Sequence, residues 1–249
     1  MAIHDSSETM DLMLQHASVR NFTDEKIPTE TLHAIIEAGR AASSWKNFQS
    51  YSIISVSKQA TKEQIYAFQP QKSILAASHF LVFVGDLNRA EKAVKLHTPD
   101  FYPDGSENLL ISSVDASLAA QNTLLAAESL GYGGVIVGLI RDQAADISKI
   151  LDLPDYTYPI FGLALGVPAQ SNAVKPRLPY ETVVFEETYQ VQEASVITAY
   201  DQLQQDYAGE RRAGSSWSER VAAQFGQVPQ SATLENLRDK KLMKKHHKI

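Results

Sequence analysis

Apolar residues in this chain recur with two periods, one near 3.6 and one near 2, and the two alternate along its length. In residues 6–18, SSETMDLMLQHAS, the apolar side is Met10, Leu12, Met13 and Leu14, predicting a helix capped by Asp5 or Ser6. Residues 28–43, PTETLHAIIEAGRAAS, predict a second helix, with Thr29 as cap and Leu32, Ile35 and Ile36 on one face. Residues 50–57, SYSIISVS, are rich in β-branched side chains and read as a strand. A short amphipathic helix follows at 62–68. Residues 79–86, HFLVFVGD, are apolar on both faces and predict a central strand.

The polar stretch 88–107, with Pro99, Pro103 and Gly105, reads as a long loop. Beyond it, 113–130 is dominated by Ala and Leu, which predicts a buried helix stopped by Gly131. Residues 133–140, GGVIVGLI, read as a core strand. Residues 142–154 read as a short helix between a cap at Asp142 and a stop at Pro154, and 158–168 as another core strand. From 180 onward the character changes to an arm with helical pieces near 195–208, 216–225 and 233–243. Val196, Tyr200, Leu203, Tyr207, Trp217, Val221 and Phe225 give those pieces apolar sides that need a surface, and a partner subunit is one such surface. The basic end, DKKLMKKHHKI, reads as a solvated tail. The pattern predicts one α+β or α/β core over 1–179 and an arm over 180–249.

Composition narrows the chemistry. The 249 residues are 44% hydrophobic, enough for a sizeable core. The net charge of −6 speaks against a nucleic-acid face, which needs clustered cations. The absence of cysteine excludes disulfides, thiolate nucleophiles and Cys-based metal sites. The N-terminal residues carry acids and no apolar h-region, so no signal peptide is expected. No apolar run approaches the roughly 18 residues of a membrane span. A cytoplasmic protein is expected.

Motifs exclude further classes. The glycines of GYGGVIVG lie between a helix and the following strand, whereas the dinucleotide fingerprint places them between a strand and the following helix. There is no GxxxxGK[ST], no GxSxG elbow and no HExxH. Without acid–base or nucleophilic apparatus of its own, the chain reads as a binder or as an enzyme whose cofactor carries the chemistry.

Cations and small polar residues gather at four places. His16, Ser18 and Arg20 alternate after the first helix, so an extended segment would present them on one side, suited to a phosphate or polyol. The competing reading is an arginine serving the helix C-terminus. Ser43, Ser44, Asn47 and Gln49 lie between a helix and a strand, as ligand contacts or as turn residues. Gln71 and Lys72 form the third place. Lys175 and Arg177, in NAVKPRLP, form the fourth, two cations stiffened by Pro176 and Pro179.

Taken together, several ordered segments resemble the oxygen-insensitive NADPH nitroreductase and flavin reductase group of the nitroreductase family: HASVRNFTDEKIP, GRAASSWKNFQSYSII, AQNTLLAAESLGYGGVIVGLIRD, YPIFGLALGVPAQSNAVKPRLP and WSERV. The resemblance covers nearly the whole chain. It implies a three-layer α+β fold with a central mixed, mainly antiparallel sheet flanked by helices, and a C-terminal extension. It also implies an intertwined homodimer, with FMN held tightly but not covalently at each dimer interface. By position, His16, Ser18 and Arg20 would meet the FMN ribityl, phosphate and ring edge. Ser43, Ser44, Gln49 and Gln71 would line ring or ribityl, and Gly138 would offer backbone N–H near the ring. Lys175 and Arg177 would hold the phosphate.

Arg211 and Arg212 fall where the family carries a loop for the NADPH 2′-phosphate. Ala17 stands where the family often has arginine, and Trp45-Lys46 where relatives often have serines. The implied activity is ping-pong reduction by NADPH of nitroaromatics, quinones, free flavin or azo compounds. The alternatives are an FMN-binding redox sensor, or a flavoenzyme specialised for one metabolite.

Overall fold

In the computed structural model the described residues are 6–209, 216–227 and 232–243. In chain order they form α1 (Glu8–Leu14), α2 (Thr29–Arg40), a 3-10 turn (Trp45–Asn47), β1 (Tyr51–Val56), α3 (Gln59–Phe68), α4 (Lys72–Ala76) and β2 (His79–Asp86). Next come α5 (Asn88–Lys95), α6 (Ser106–Ser129), β3 (Gly133–Val137), a 3-10 stretch (Gly138–Gln143), α7 (Ala144–Ile150) and β4 (Thr157–Gly166). The remaining helices are α8 (Tyr180–Val183), α9 (Ala194–Ala208), α10 (Trp217–Phe225) and α11 (Ala232–Asp239).

Two units result: Met1–Asn172 with Ser231–Ile249, and Ala173–Gln230. The sequence pattern breaks at 179 instead, and it puts α11 with the arm.

The first unit is built on one sheet in the order β1-β2-β4-β3, with every pairing antiparallel. β2 is central and covered on both faces, as its unbroken apolar run predicts. Leu81 and Phe83 enter one core with Leu32 and Ile35 of α2 and Ala116, Ala119, Ala120 and Leu124 of α6. Phe80, Val82 and Val84 enter the other, with Ile65 of α3, Ile74 of α4 and Ile147 of α7. A period of two on a two-sided strand thus specifies three layers.

The α2–α6 contact depends on Gly39, where a Cβ would meet Thr123 Oγ1 at 2.0 Å and the Ala119 carbonyl at 3.0 Å. α6 ends at Gly131, whose φ of +82° places it in the left-handed region. There the Tyr132 amide bonds to the Ala127 carbonyl, and the Gly131 amide to Glu128.

Several boundaries differ from the sequence pattern. Ser7, not Asp5 or Ser6, caps α1: its Oγ accepts from the Met10 amide at 3.3 Å. Thr29 is the first residue of α2 and Pro28 holds the cap position without a side-chain bond. Part of the expected loop 88–107 is helical. In α5 the i,i+4 pair Glu91–Lys95 and the Lys92–Asn88 bond tie one side, while Ala90, Ala93 and Val94 face a cavity.

α6 begins at Ser106 rather than near 113, and it is buried on one side only. Leu110, Val114 and Leu118 are exposed along the other. Nor are the residues after α11 solvated throughout: Leu242 is fully buried, Lys240 Nζ donates to the Leu153 carbonyl, and Lys241 pairs with Asp155 at 2.5 Å. His246 and His247 lie outside the described residues. Among the described residues no helix is long and apolar enough to cross a membrane.

Candidate functional site

In the first unit, the segment after α1 runs extended along the free edge of β3. Val19 is buried and its amide donates to the Gly134 carbonyl at 2.8 Å, and Phe22 bridges to Pro168. With Val19 turned inward, its neighbours Ser18 and Arg20 are the more exposed positions, as alternation requires. His16 is held differently. Its Nδ1 lies 2.6 Å from Glu128 Oε1 in the last turn of α6, with about a quarter of the His16 side chain exposed. That contact leaves Nε2 as the other ring nitrogen. Both residues line a cavity of about 540 Å³, together with Gln15, Ala17, Tyr132 and the 167–172 loop. Asn172 closes the arrangement by donating from Nδ2 to the Ser18 carbonyl at 3.1 Å.

Gln49 belongs to a second cavity, of about 800 Å³, shared with Arg40, Phe48, Tyr51, Asp86 and Arg89. Burial pushes the Tyr51 phenol above its usual range, opposed by the Arg40 charge. Ser43 is exposed and Ser44 half-buried just before the 3-10 turn at Trp45–Asn47. The turn and the following residues are held by the carboxylate of Asp115 on α6, which is 1% exposed. Its Oδ1 accepts from the Trp45 amide at 2.9 Å and its Oδ2 from the Ser50 amide at 3.0 Å.

Gln71 is half-buried at the cap position of α4, where its carbonyl accepts from the Ile74 amide at 2.9 Å. Gly138 opens the 3-10 stretch after β3, and a Cβ there would lie 3.4 Å from the Arg141 guanidinium. His16 and Gln49 therefore line different cavities of this unit, and Ser18, Arg20, Gln71 and Gly138 line neither.

In the second unit Lys175 and Arg177 are both exposed, and Arg177 Nη1 donates to the Lys175 carbonyl at 3.4 Å. Their loop is fastened from beneath by α9. Tyr200 Oη donates to the Pro176 carbonyl at 3.0 Å, and Gln204 Nε2 donates to the same oxygen at 3.1 Å and to Tyr200 Oη at 2.7 Å. Tyr207 Oη reaches the Ala173 carbonyl at 2.9 Å. Positions 200, 204 and 207 share one helix face, so the apolar-aromatic side read from the sequence is turned toward this loop. Tyr200 is buried edge-on against Trp217 of α10, with ring centroids 5.5 Å apart. Asp201 joins α9 to α10: its carboxylate accepts from the Ser218 amide and hydroxyl, bonds that hold its pKa below the ordinary value. Arg211 and Arg212 lie outside the described residues.

The sequence pattern passes over Glu128, Asp115, Asn172 and Arg89, and over the bonding roles of Tyr200, Gln204 and Tyr207. A signal existed for two of them. Asp115 and Glu128 are isolated acids in an Ala-rich helix, where a buried carboxylate must find donors.

The first unit is thus a three-layer α+β core with a carboxylate-held histidine in a cavity, and the second carries an exposed cation pair on a fastened loop. The nitroreductase family model matches residues 13–167, and the model for the C-terminal domain of that family matches 175–245. Among curated relatives, the oxygen-insensitive NADPH nitroreductase of Salmonella typhimurium is 37% identical over 86% of this chain and 90% of its own. Among solved structures, nitroreductase A from Vibrio parahaemolyticus is 38% identical with a TM-score of 0.90, over 97% of this chain and 100% of its own. The NADPH:FMN oxidoreductase from Vibrio harveyi, solved with NAD+, is 38% identical with a TM-score of 0.88, over 96% of this chain and all of its own. The chain belongs to the nitroreductase family.

Proposed function

We propose that this protein is an FMN-dependent NADPH oxidoreductase that reduces nitroaromatics, quinones, free flavin or azo compounds. The observation that carries the reading is the exposed Lys175–Arg177 pair on a loop tied down through the Pro176 and Ala173 carbonyls. A point cation and a planar fork two residues apart match a phosphate, and a fastened loop loses little freedom on binding it. The reductase names of the Salmonella and Vibrio relatives support the choice of FMN and NADPH.

In this reading Lys175 and Arg177 hold the FMN phosphate. His16, Ser18 and Arg20 serve the ribityl, phosphate and ring edge. With Nδ1 engaged by Glu128, His16 has Nε2 left for a ligand hydroxyl. Ser43, Ser44, Gln49 and Gln71 serve ring and ribityl, and Gly138 offers backbone N–H. Arg211 and Arg212 serve the NADPH 2′-phosphate. FMN held by these residues would supply the acceptance of a hydride from NADPH and the delivery of electrons to the acceptor, so that reductant and acceptor would use one place in turn, a ping-pong scheme.

The protein works as a homodimer in this reading, with the exposed Leu110, Val114 and Leu118 side of α6 available to a second copy. The test is a visible spectrum of the purified protein, titrated without air first with NADPH and then with NADH. A yellow protein bleached by NADPH and recoloured by a nitroaromatic or quinone is the expected result. A colourless protein that takes up no added FMN refutes the reading.

A further inference from the structure

Three of the six residues from Trp45 to Ser50 adopt a backbone that residues other than glycine seldom take. Lys46, Asn47 and Gln49 have φ values of 48°, 58° and 52°, the left-handed region, and none of them is glycine. Such residues persist only where surrounding contacts over-determine them. Two charges supply those contacts, from opposite sides. From inside, Asp115 receives the Trp45 and Ser50 amides on its two oxygens. From outside, Arg89 on α5 donates through Nη2 to the Gln49 carbonyl at 2.9 Å and to the Tyr51 carbonyl. Arg89 is itself fixed through Nη1 to Asp86 at 2.8 Å and to Ser52 Oγ at 2.9 Å.

The left-handed residues are what make this possible. They turn the amides at both ends of the loop toward one point, an anion-binding concavity of the kind made by successive N–H groups. Here the anion is the protein's own buried carboxylate. The Gln49 carbonyl, at the far end of the Ser50 amide dipole, and the Tyr51 carbonyl are met by the guanidinium. Other polar backbone atoms of the loop are also engaged. The Phe48 amide bonds to the Trp45 carbonyl at 2.8 Å, the Tyr51 amide to Gln49 at 2.8 Å, and the Asp86 amide to the Ser50 carbonyl at 3.0 Å. A loop so held is restrained at both ends. It presents Phe48 and Gln49, which both line the larger cavity.

We propose that Asp115 and Arg89 are positioning residues, which hold the Trp45–Ser50 loop as a preset wall of the larger cavity, whose Phe48 ring and Gln49 amide set how tightly an electron acceptor is gripped. The acceptor clause rests on the oxidoreductase reading; the clamp itself does not. Asp115→Asn keeps size and shape but replaces one acceptor oxygen by a donor, so it opposes one of the two loop amides. Arg89→Lys keeps the charge and loses the fork that spans two carbonyls.

Hydrogen exchange of the full-length protein as purified, followed by mass spectrometry, reads the clamp directly. Asp115→Asn is expected to speed exchange of amides in 44–52 roughly tenfold, the scale of one lost bond, and to leave α6 and β2 peptides unchanged. Arg89→Lys is expected to do so more weakly, and because its side chain is more than half exposed it serves if Asp115→Asn does not fold. In turnover with a nitroaromatic, Asp115→Asn is expected to raise KM about fivefold, more than it lowers kcat. Phe48→Ala should raise KM similarly, and the double variant no further than either alone.

Unchanged exchange at 44–52, or acceleration spread evenly along α6, overturns the clamp. Additive KM effects in the double variant overturn its link to the acceptor. A protein without FMN removes the turnover arm and refutes the oxidoreductase reading, while the exchange result still decides the clamp.

Discussion

Replacing Tyr200 by Phe and Gln204 by Leu removes both donors from the Pro176 carbonyl without touching a charge. The Phe ring keeps the edge-on contact with Trp217, and Leu keeps about the volume of Gln204, so α9 and α10 stay packed. What is lost is two neutral hydrogen bonds to the Pro176 carbonyl, at 3.0 and 3.1 Å, each worth about 1 kcal/mol net, along with the bond at 2.7 Å between the two side chains, which does not hold the loop. Pro176 is only half buried, so water replaces part of this, and the loop is released by about 1–2 kcal/mol. If the loop must be re-ordered to hold the FMN phosphate, the dissociation constant rises roughly 5–30-fold.

Flavin fluorescence quenching measures that constant, and repeating the titration at several salt concentrations separates positioning from charge. The Tyr200→Phe/Gln204→Leu variant retains Lys175 and Arg177, so its salt dependence should match that of the unaltered protein. Lys175→Ala and Arg177→Ala should each weaken binding by about 1.5–3 kcal/mol and flatten the salt dependence, because a charge is gone. An unchanged dissociation constant in the double variant refutes the fastening argument. Unchanged affinity in both cation variants refutes the phosphate assignment.

Three other outcomes are expected. Arg211→Ala with Arg212→Ala should raise KM for NADPH more than for NADH in steady-state kinetics, and equal effects would mean that this loop does not read the 2′-phosphate. Gly39→Ala should lower stability in urea unfolding by about 1–3 kcal/mol, since its Cβ would sit 2.0 Å from Thr123 Oγ1; Thr123→Ala in the same chain should restore part of the loss. Buried Lys62, whose Nζ donates to the Ala77 and Ser78 carbonyls, has its pKa lowered by burial and by Lys26 to about 8, against 10.5 when unfolded. Between these values the unfolded chain binds the extra proton, so stability should rise with pH across that window, by up to about 3 kcal/mol, and Lys62→Met should flatten the rise.

The hydrophobic pattern carried most of the first unit because each element there is decided by its own neighbours. β2 reads as central since eight residues without a polar face require cover on both sides. The end of α6 reads from Gly131, the residue suited to the left-handed cap. The stretch 88–107 was misread because α5 has few apolar residues and is held by i,i+4 pairs, which polarity alone does not distinguish from a loop. The exposed side of α6 was misread because alanine and leucine density indicates an apolar helix and not which sides another element covers.

Candidate residues were legible where type and spacing are local: His16, Ser18 and Arg20 on an alternating segment, Lys175 and Arg177 around a proline. Their restraints were not. Glu128 reaches His16 across 112 residues, Asp115 reaches Trp45 across 70, and Tyr207 reaches Ala173 across 34. Local sequence determines which side chains can bind an anion or form a strand. Only the folded chain decides which distant carboxylate, guanidinium or hydroxyl fixes their geometry, because such bonds join segments whose proximity is set by the packing of the whole sheet and its helices.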